Sequence, residues 1–271
     1  MEQPKVSVIT ICRNAASELE RTVRSVVAQE GVSMEFIIVD GASTDGTPDV
    51  IRQTEATCRQ RNMPLRWMSE PDGGIFDAMN KGVRMASGQW LSFMNAGDLF
   101  SAPDVLARLM VLPSLSETDV VYGSVRQVFD FGTVEMPPAP LSRLEKKMAF
   151  CHQACLVRAD VLRAHPYDLR YPLAADYELM HWCYTQGKRF VQAGFPVADF
   201  ESEQGTSSRN RLRLNREFAH ISGRFHTWGW RFEYLGRVLE VGFNKLTRAI
   251  LPRRSVDQAR RRNYRRIQNK R

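Results

Sequence analysis

The stretch Glu35-Phe-Ile-Ile-Val-Asp40-Gly41 decides the fold. Residues 36–39 form a short unbroken apolar run, β-branched at its last three positions, that stops at an Asp-Gly pair. Such a run is the pattern of a strand covered on both faces. Towards the amino terminus, Val6-Ser-Val-Ile-Thr-Ile-Cys12 has the same character. Between the two, Leu19, Val23, Val26 and Val27 recur at helical spacing, so a helix is expected over 17–29. Ser17 is its expected cap, with Glu20 completing a capping box.

Towards the carboxyl terminus, 47–60 reads as a helix with Pro48 in its first turn. A third strand is expected over 65–69. Ile75, Met79, Val83 and Ala86 mark the apolar face of a helix that stops at Gly88. A fourth strand follows over 90–95, and Pro103 opens a helix running to Leu112. Strands and helices in alternation argue for a parallel α/β sheet. Beyond this the pattern loosens. Strands are expected over 120–122, 125–131 and 155–157, a Pro-rich loop over 136–140, and helices over 160–164 and 175–186. The segment 205–208 reads as a loop, and the chain from Arg209 onward as helical, interrupted at Pro252.

The 271 residues are 43% hydrophobic, enough for one large domain or one domain with an appendage. The five cysteines are odd in number and irregularly spaced, and the apolar run 6–12 is too short for a secretory signal. A reduced, cytoplasmic setting is therefore expected. No window reaches the ~18 apolar residues of a membrane-spanning helix. The formal charge of +8 is unevenly placed. Residues 248–271 hold ten Lys/Arg against the single acid Asp257, so the rest of the chain is close to neutral.

Asp40 and Asp98 fall at the ends of two expected strands, where open α/β sheets bind their ligands. Asp72 and Asp77 would line the same crevice. A lone Asp after a strand is ordinarily a turn residue or a helix cap, but four at one edge form a constellation. No glycine-rich dinucleotide or P-loop motif follows the first strand; the turn there is Cys12-Arg13-Asn14. Cys151-His-x-x-Cys155 and His181-Trp-Cys183 have the residue types of a zinc site, but not its usual spacing.

Four segments in order carry a resemblance: Val6-Ser-Val-Ile-Thr-x-x-x-Asn14, Ile38-Val-Asp-Gly-Ala-Ser-Thr-Asp-Gly-Thr47, Ser69-Glu-Pro-Asp-Gly-Gly-Ile-Phe-Asp-Ala-Met-Asn-Lys-Gly82 and Phe93-Met-Asn-Ala-Gly-Asp98. Together they resemble the family 2 glycosyltransferases of the GT-A fold, a Rossmann-like, mostly parallel α/β architecture, and among them the colanic-acid and exopolysaccharide members. The resemblance covers about residues 5–210. It implies a catalytic domain over 1–210 and leaves 211–271 as a helical, basic extension.

The resemblance also implies the site. Thr10, Asn14, Asp40, Asp72, Asp77, Lys81 and Asn95 would hold a UDP- or GDP-linked sugar, with Asp40 accepting from the base's ring N–H. Asp98 resembles the last carboxylate of the family's Asp-x-Asp metal motif, a hard oxygen ligand for Mg²⁺ or Mn²⁺. Asn95-Ala-Gly-Asp98 offers one carboxylate where the family commonly has more. Asp77 and Lys81, four residues apart, are either a surface ion pair or part of a helix end beside the donor phosphates. Leu173-Ala-Ala-Asp-Tyr-Glu178 resembles the family's acceptor-side motif, with Asp176 as general base and Glu178 as its understudy. His152-Gln153 resembles a recurrent pair of the family and makes His152 an acceptor- or phosphate-side candidate.

The expected reaction is a single inverting displacement onto the hydroxyl of a saccharide or lipid-linked acceptor, in surface polysaccharide or glycolipid synthesis. The alternative is a nucleotide-sugar-binding assembly subunit of the same fold. Aromatic, aliphatic and basic residues over 226–250 suit peripheral contact with the inner face of a membrane as well as they suit packing on the catalytic domain. The basic run lacks the aromatic-studded sheet motif that would point to nucleic acid.

Overall fold

A computed structural model describes residues 4–129, 132–200 and 210–250. The expected loop at 205–208 and the basic tail beyond 250 lie outside the described residues.

Among the described residues nine strands form one sheet: β1 (Val6–Cys12), β2 (Met34–Asp40), β3 (Leu65–Ser69), β4 (Trp90–Phe93), β5 (Leu99–Phe100), β6 (Val120–Phe129), β7 (Gly132–Met136), β8 (Cys155–Arg158) and β9 (Phe190–Phe200). Their order is β3-β2-β1-β4-β8-β6-β9-β5, with β7 paired to β6 as a hairpin. The first four run parallel, and β8 joins β4 antiparallel.

Helices cover both faces. The helices α1 (Ala16–Val27), α2 (Thr47–Gln60) and α4 (Val105–Leu109) pack on one side. On the other lie α3 (Ile75–Met85), α5 (Ala159–Ala164) and α6 (Ala175–Thr185). Alternation along each buried strand feeds both layers. Ile9 and Ile11 of β1 enter one core, while Val6, Val8 and Cys12 enter the other. The strands read as continuous apolar runs because neither face meets water.

The chain moves outward from β1 through β2 to β3, then returns to place β4 on the other side of β1. That reversal opens a crevice beyond the carboxyl ends of β1 and β4, where such sheets bind ligands. The 12–14 turn and the 95–98 turn border it.

Some local expectations change. Ser17 lies inside α1, not at its cap, and its hydroxyl bonds Glu18. The helix start is satisfied from another loop: Ala15 N–H donates to Thr47 Oγ1 and Ala16 N–H to Asp45. On α3 the buried face is Phe76, Met79 and Val83, whereas Ile75 is 44% exposed. The helix expected over 103–112 is shorter, and the expected strands over 120–122 and 125–131 are one element, β6, as far as Phe129, with 130–131 outside the described residues. β9 gave no sequence signal, because its alternation is broken by Gly194 and Pro196.

Two helices follow: α7 (Arg211–Ile221) and α8 (Trp228–Ile250). α7 braces α6. Phe218 packs edge-on to Tyr177 with centroids 4.8 Å apart, and the buried Glu217 accepts from Leu173 N–H at 2.9 Å. Among the described residues no helix is long and apolar enough to cross a membrane.

Candidate active site

The 95–98 turn leaves β4 at the crevice. Gly97 has φ +102°, a conformation that side chains rarely adopt, so glycine there lets the chain reverse and bring Asp98 back to the sheet edge. Thr22, buried on α1, organises the turn. Its hydroxyl accepts from Gly97 N–H at 2.9 Å and lies 2.9 Å from the Asp98 carbonyl and 3.2 Å from that of Asn95.

Facing this turn is the 3₁₀ turn His152–Ala154, just before β8. Gln153 Nε2 donates to Asp98 Oδ1 at 3.3 Å. His152 Nε2 lies 3.2 Å from Asn95 Nδ2, and its Nδ1 lies 3.7 Å from Asp176 Oδ2. Asp176 stands in the first turn of α6, where its Oδ1 accepts from Tyr177 N–H at 2.8 Å. One imidazole therefore joins the carboxyl end of β4 to the head of α6.

Both acids are costly to ionise here. Burial pushes the Asp98 carboxyl up to about 6, against the opposing pull of His152 and Gln153. Burial also raises Asp176, with His152 and the Tyr177 N–H acting the other way. Removing water from a carboxylate penalises its charged form unless partners replace the lost hydration.

Glu178, the second acid on α6, is committed elsewhere. Both its oxygens lie 3.0 Å from His165 Nε2, and His165 stacks on Trp182 at 4.2 Å. That pairing engages both carboxylate oxygens of Glu178 with one imidazole nitrogen.

A second cluster surrounds the end of β2. Asp40 is fully buried and accepts from Ser43 N–H at 3.1 Å, from the Ser69 hydroxyl at 2.6 Å and from the Ser43 hydroxyl. Its carboxylate shapes the turn after β2 and presents no open face. Asp72 lies over Gly41, where a Cβ would collide with its carboxylate, and it accepts from Gly74 N–H at 2.9 Å. Asn14 Oδ1 accepts from Thr44 N–H at 2.9 Å and ties the first two loops of the crevice together. In the β2-β1-β4 order, two strand spacings of about 4.8 Å separate the carboxyl ends of β2 and β4, about 10 Å in all.

Two expected ligand contacts turn inward. The Thr10 hydroxyl is buried and donates to the Met94 carbonyl at 2.7 Å, stitching β1 to the end of β4. The Lys81 ammonium lies 2.8 Å from the Pro71 carbonyl, 2.8 Å from Glu70 and 3.7 Å from Asp77. The Glu70 hydrogen bond is the main reason its pKa rises. Asp77 also accepts from Gly73 N–H at 2.9 Å. Lys81 and Asp77 thus staple the 70–77 loop, and the ammonium has three partners without any phosphate.

For a divalent cation, the fitting donors are the Asp98 carboxylate and Asn95 Oδ1, which is buried without a hydrogen-bond partner. An orphaned amide oxygen beside a carboxylate is hard-donor chemistry suited to Mg²⁺ or Mn²⁺. Among the described residues no three His, Cys, Asp or Glu side chains converge on one metal position. Burial leaves Cys183 at about 12 and Cys151 at about 11, so these thiols are protonated and inert at neutral pH.

The family model described as Glycosyl transferase family 2 matches residues 7–162. The chain belongs to the family 2 glycosyltransferases. A PGL/p-HBAD biosynthesis glycosyltransferase from Mycobacterium bovis is 34% identical over 190 residues, covering 68% of this chain and 72% of the relative. An uncharacterized glycosyltransferase from Mycobacterium tuberculosis is 36% identical over 189 residues, 65% of this chain and 68% of its own. Among solved structures, a Pyrobaculum calidifontis mannosyltransferase in complex with GDP-Man and Mn²⁺ superposes with TM-score 0.64 at 21% identity, over 82% of this chain and 64% of that one. S. aureus TarS 1-349 in complex with UDP gives TM-score 0.62 at 17% identity, over 80% of this chain and 65% of that one. The glycosyltransferase therefore has the GT-A fold.

Sequence reasoning missed two residues of this glycosyltransferase's candidate site. Thr22 gave no signal, because a threonine between Leu19 and Val23 reads as helix filler. Gln153 entered only as the partner of His152, and neither lies on an element whose period could aim it at Asp98.

Proposed function

We propose that this glycosyltransferase moves a hexosyl or deoxyhexosyl group from a UDP- or GDP-linked donor to an acceptor hydroxyl, with inversion, in the synthesis of a surface glycolipid or polysaccharide. One observation carries the reading: His152 bridges Asn95, on the turn that ends in Asp98, to Asp176. An acid whose pKa is raised by burial is a better proton acceptor at neutral pH than an ordinary carboxylate, and it can take the acceptor's proton as oxygen attacks the anomeric carbon. His152 keeps the Asp176 carboxylate aimed at the crevice and stabilises its ionised form.

Asp98 and Asn95 would hold the divalent cation, whose charge, when bound, neutralises the departing diphosphate. Asp40, Asp72 and Asn14 would form the nucleoside end of the cleft, Asp40 by setting the turn that meets the base. Asp77 and Lys81 would act by fixing the 70–77 loop, and Thr10 by fixing β1 against β4. Residues 1–210 would form the catalytic unit, with 211–271 an extension that braces α6 and reaches the inner face of the membrane. The mycobacterial relative's name supports a glycolipid acceptor.

The single carboxylate of the 95–98 turn also favours a second reading, a subunit that binds nucleotide-sugars without turning them over. A transfer assay with UDP- and GDP-sugars, paired with thermal shift, separates the two. Asp176→Asn is expected to keep the donor-induced rise in Tm and to lose about 100- to 10,000-fold in transfer rate. EDTA is expected to abolish transfer, and Mn²⁺ or Mg²⁺ to restore it. Donor binding by the wild-type chain without turnover would favour the binding subunit, and wild-type turnover by Asp176→Asn would remove Asp176 as the base.

A further inference from the structure

The crevice leaves the carboxyl-terminal helices unexplained. Between residues 146–147, α7 and α8 lies a cavity of about 280 Å³. Lys146, Lys147, Arg224 and Arg237 line it, and Trp230 and Tyr234 stack along one wall at 5.0 Å. Its lining acid, Glu233, is already paired with Arg224 at 2.8 Å. Burial, and then Arg143 and Arg237, lower the Lys147 pKa, with Glu233 acting the other way.

The opposite face of α8 is apolar and open to solvent. Trp228, Phe232, Leu235 and Leu239 recur at helical spacing and are 71%, 68%, 56% and 65% exposed. Trp230 and Tyr234 stand two positions on, about half a turn round the helix, and so face the cavity. The sequence beyond α8 carries nine Lys/Arg over 251–271 against Asp257.

An apolar stripe on one side and a cationic, ring-lined cavity about one helix diameter (roughly 10 Å) above it match the layers of an anionic bilayer surface. A soluble phosphate would use the cavity but leave the stripe without a role. We propose that α8 lies in the surface of an anionic membrane and that the cavity behind it receives the phosphate of a membrane lipid. His152 follows Lys147 by five residues, so at most about 18 Å of extended chain separates the cavity from the reaction centre. That distance suits an acceptor saccharide carried on a lipid phosphate, a consequence that rests on the acceptor reading above.

Co-flotation of the full chain with vesicles tests the surface. Wild type is expected to bind phosphatidylcholine vesicles containing phosphatidylglycerol about tenfold or more over pure phosphatidylcholine. Lys147→Gln with Arg237→Gln should weaken the anionic binding by about 25-fold, about fivefold per cation. Phe232→Glu with Leu235→Glu should abolish flotation on either vesicle with the Tm unchanged. The proposal is overturned if wild type floats on neither vesicle, or if either double variant floats like wild type, which would assign the binding to the basic tail alone. It is also overturned if inorganic phosphate raises the Tm through Lys147 and Arg237 while vesicles do not bind, which would assign the cavity to a soluble anion. Thermal shift with nucleotide-sugar on the same preparations reports on the donor reading separately, since its failure would leave the flotation result standing.

Discussion

Two edges of one sheet hold buried acids that behave in opposite ways. At the amino edge, Glu35 of β2 is 3% exposed. It accepts from the Ser7 hydroxyl at 2.6 Å, Ser87 N–H at 2.6 Å, Gly88 N–H at 3.2 Å and Arg66 at 2.7 Å. Burial alone would raise its pKa, but these donors outweigh burial and the net shift is downward. At the carboxyl edge, Asp98 has Gln153 at 3.3 Å and sits near 6. The contrast separates an acid used to hold loops together from one left short of partners, the state expected of the proposed metal ligand.

The largest effect that would break this comparison is at Glu35. Glu35→Ala leaves Arg66 and two backbone N–H groups without their acceptor, and is expected to cost about 3–5 kcal/mol in urea unfolding while turnover per folded molecule stays unchanged. A stable Glu35→Ala protein would show that the amino-edge network is dispensable.

Asp98→Asn should move stability the other way. A native pKa near 6, above the ordinary carboxylate value, means ionised Asp98 destabilises the fold above pH 6, and that cost disappears as pH falls through 6 towards 4. The amide variant should therefore gain up to about 3 kcal/mol at pH 7.5 and lose transfer activity. Loss of stability in that variant would mean that Asp98 is a structural acid like Glu35.

Thr22→Val tests the support beneath the turn. It removes the acceptor for Gly97 N–H without changing the shape of the side chain, at an expected cost of about 1–2 kcal/mol. The rate of transfer should fall with it, and Thr22→Ser should restore both. An unchanged rate would mean that the turn holds its shape without Thr22.

The smallest effect lies in the pH dependence. Because the native pKa of Glu35 is depressed, its contribution is complete above the unfolded value of about 4.3 and is lost as pH falls through the lower native value. The stability gap between wild type and Glu35→Gln should be constant from pH 7 to 5 and narrow below pH 4. A gap that stays level at acid pH would show that Glu35 titrates normally.

The first four strands and the helices between them were legible because buried parallel strands and amphipathic helices each repeat over a few residues, so local pattern alone marks them. The strand end bearing Asp40, the turn after β4 bearing Asp98, and α6 bearing Asp176, follow from that reading together with the four ordered motifs. Sequence alone did not reveal β9, where Gly194 and Pro196 break the period, or that Ser17 would leave capping to Thr47 and Asp45. It also did not show that Thr10, Asp40 and Lys81 would spend their polar atoms inside the protein. Those outcomes depend on which loops meet across the crevice, a property of contacts up to 84 residues apart such as Thr10 to Met94. The sequence by itself determined the elements and the residue types at the sheet's carboxyl edge. Tertiary structure alone decided which of those acids are satisfied and which remain exposed to the cost of burial, because a carboxylate's charge is set by its partners in space, not by its neighbours in the chain.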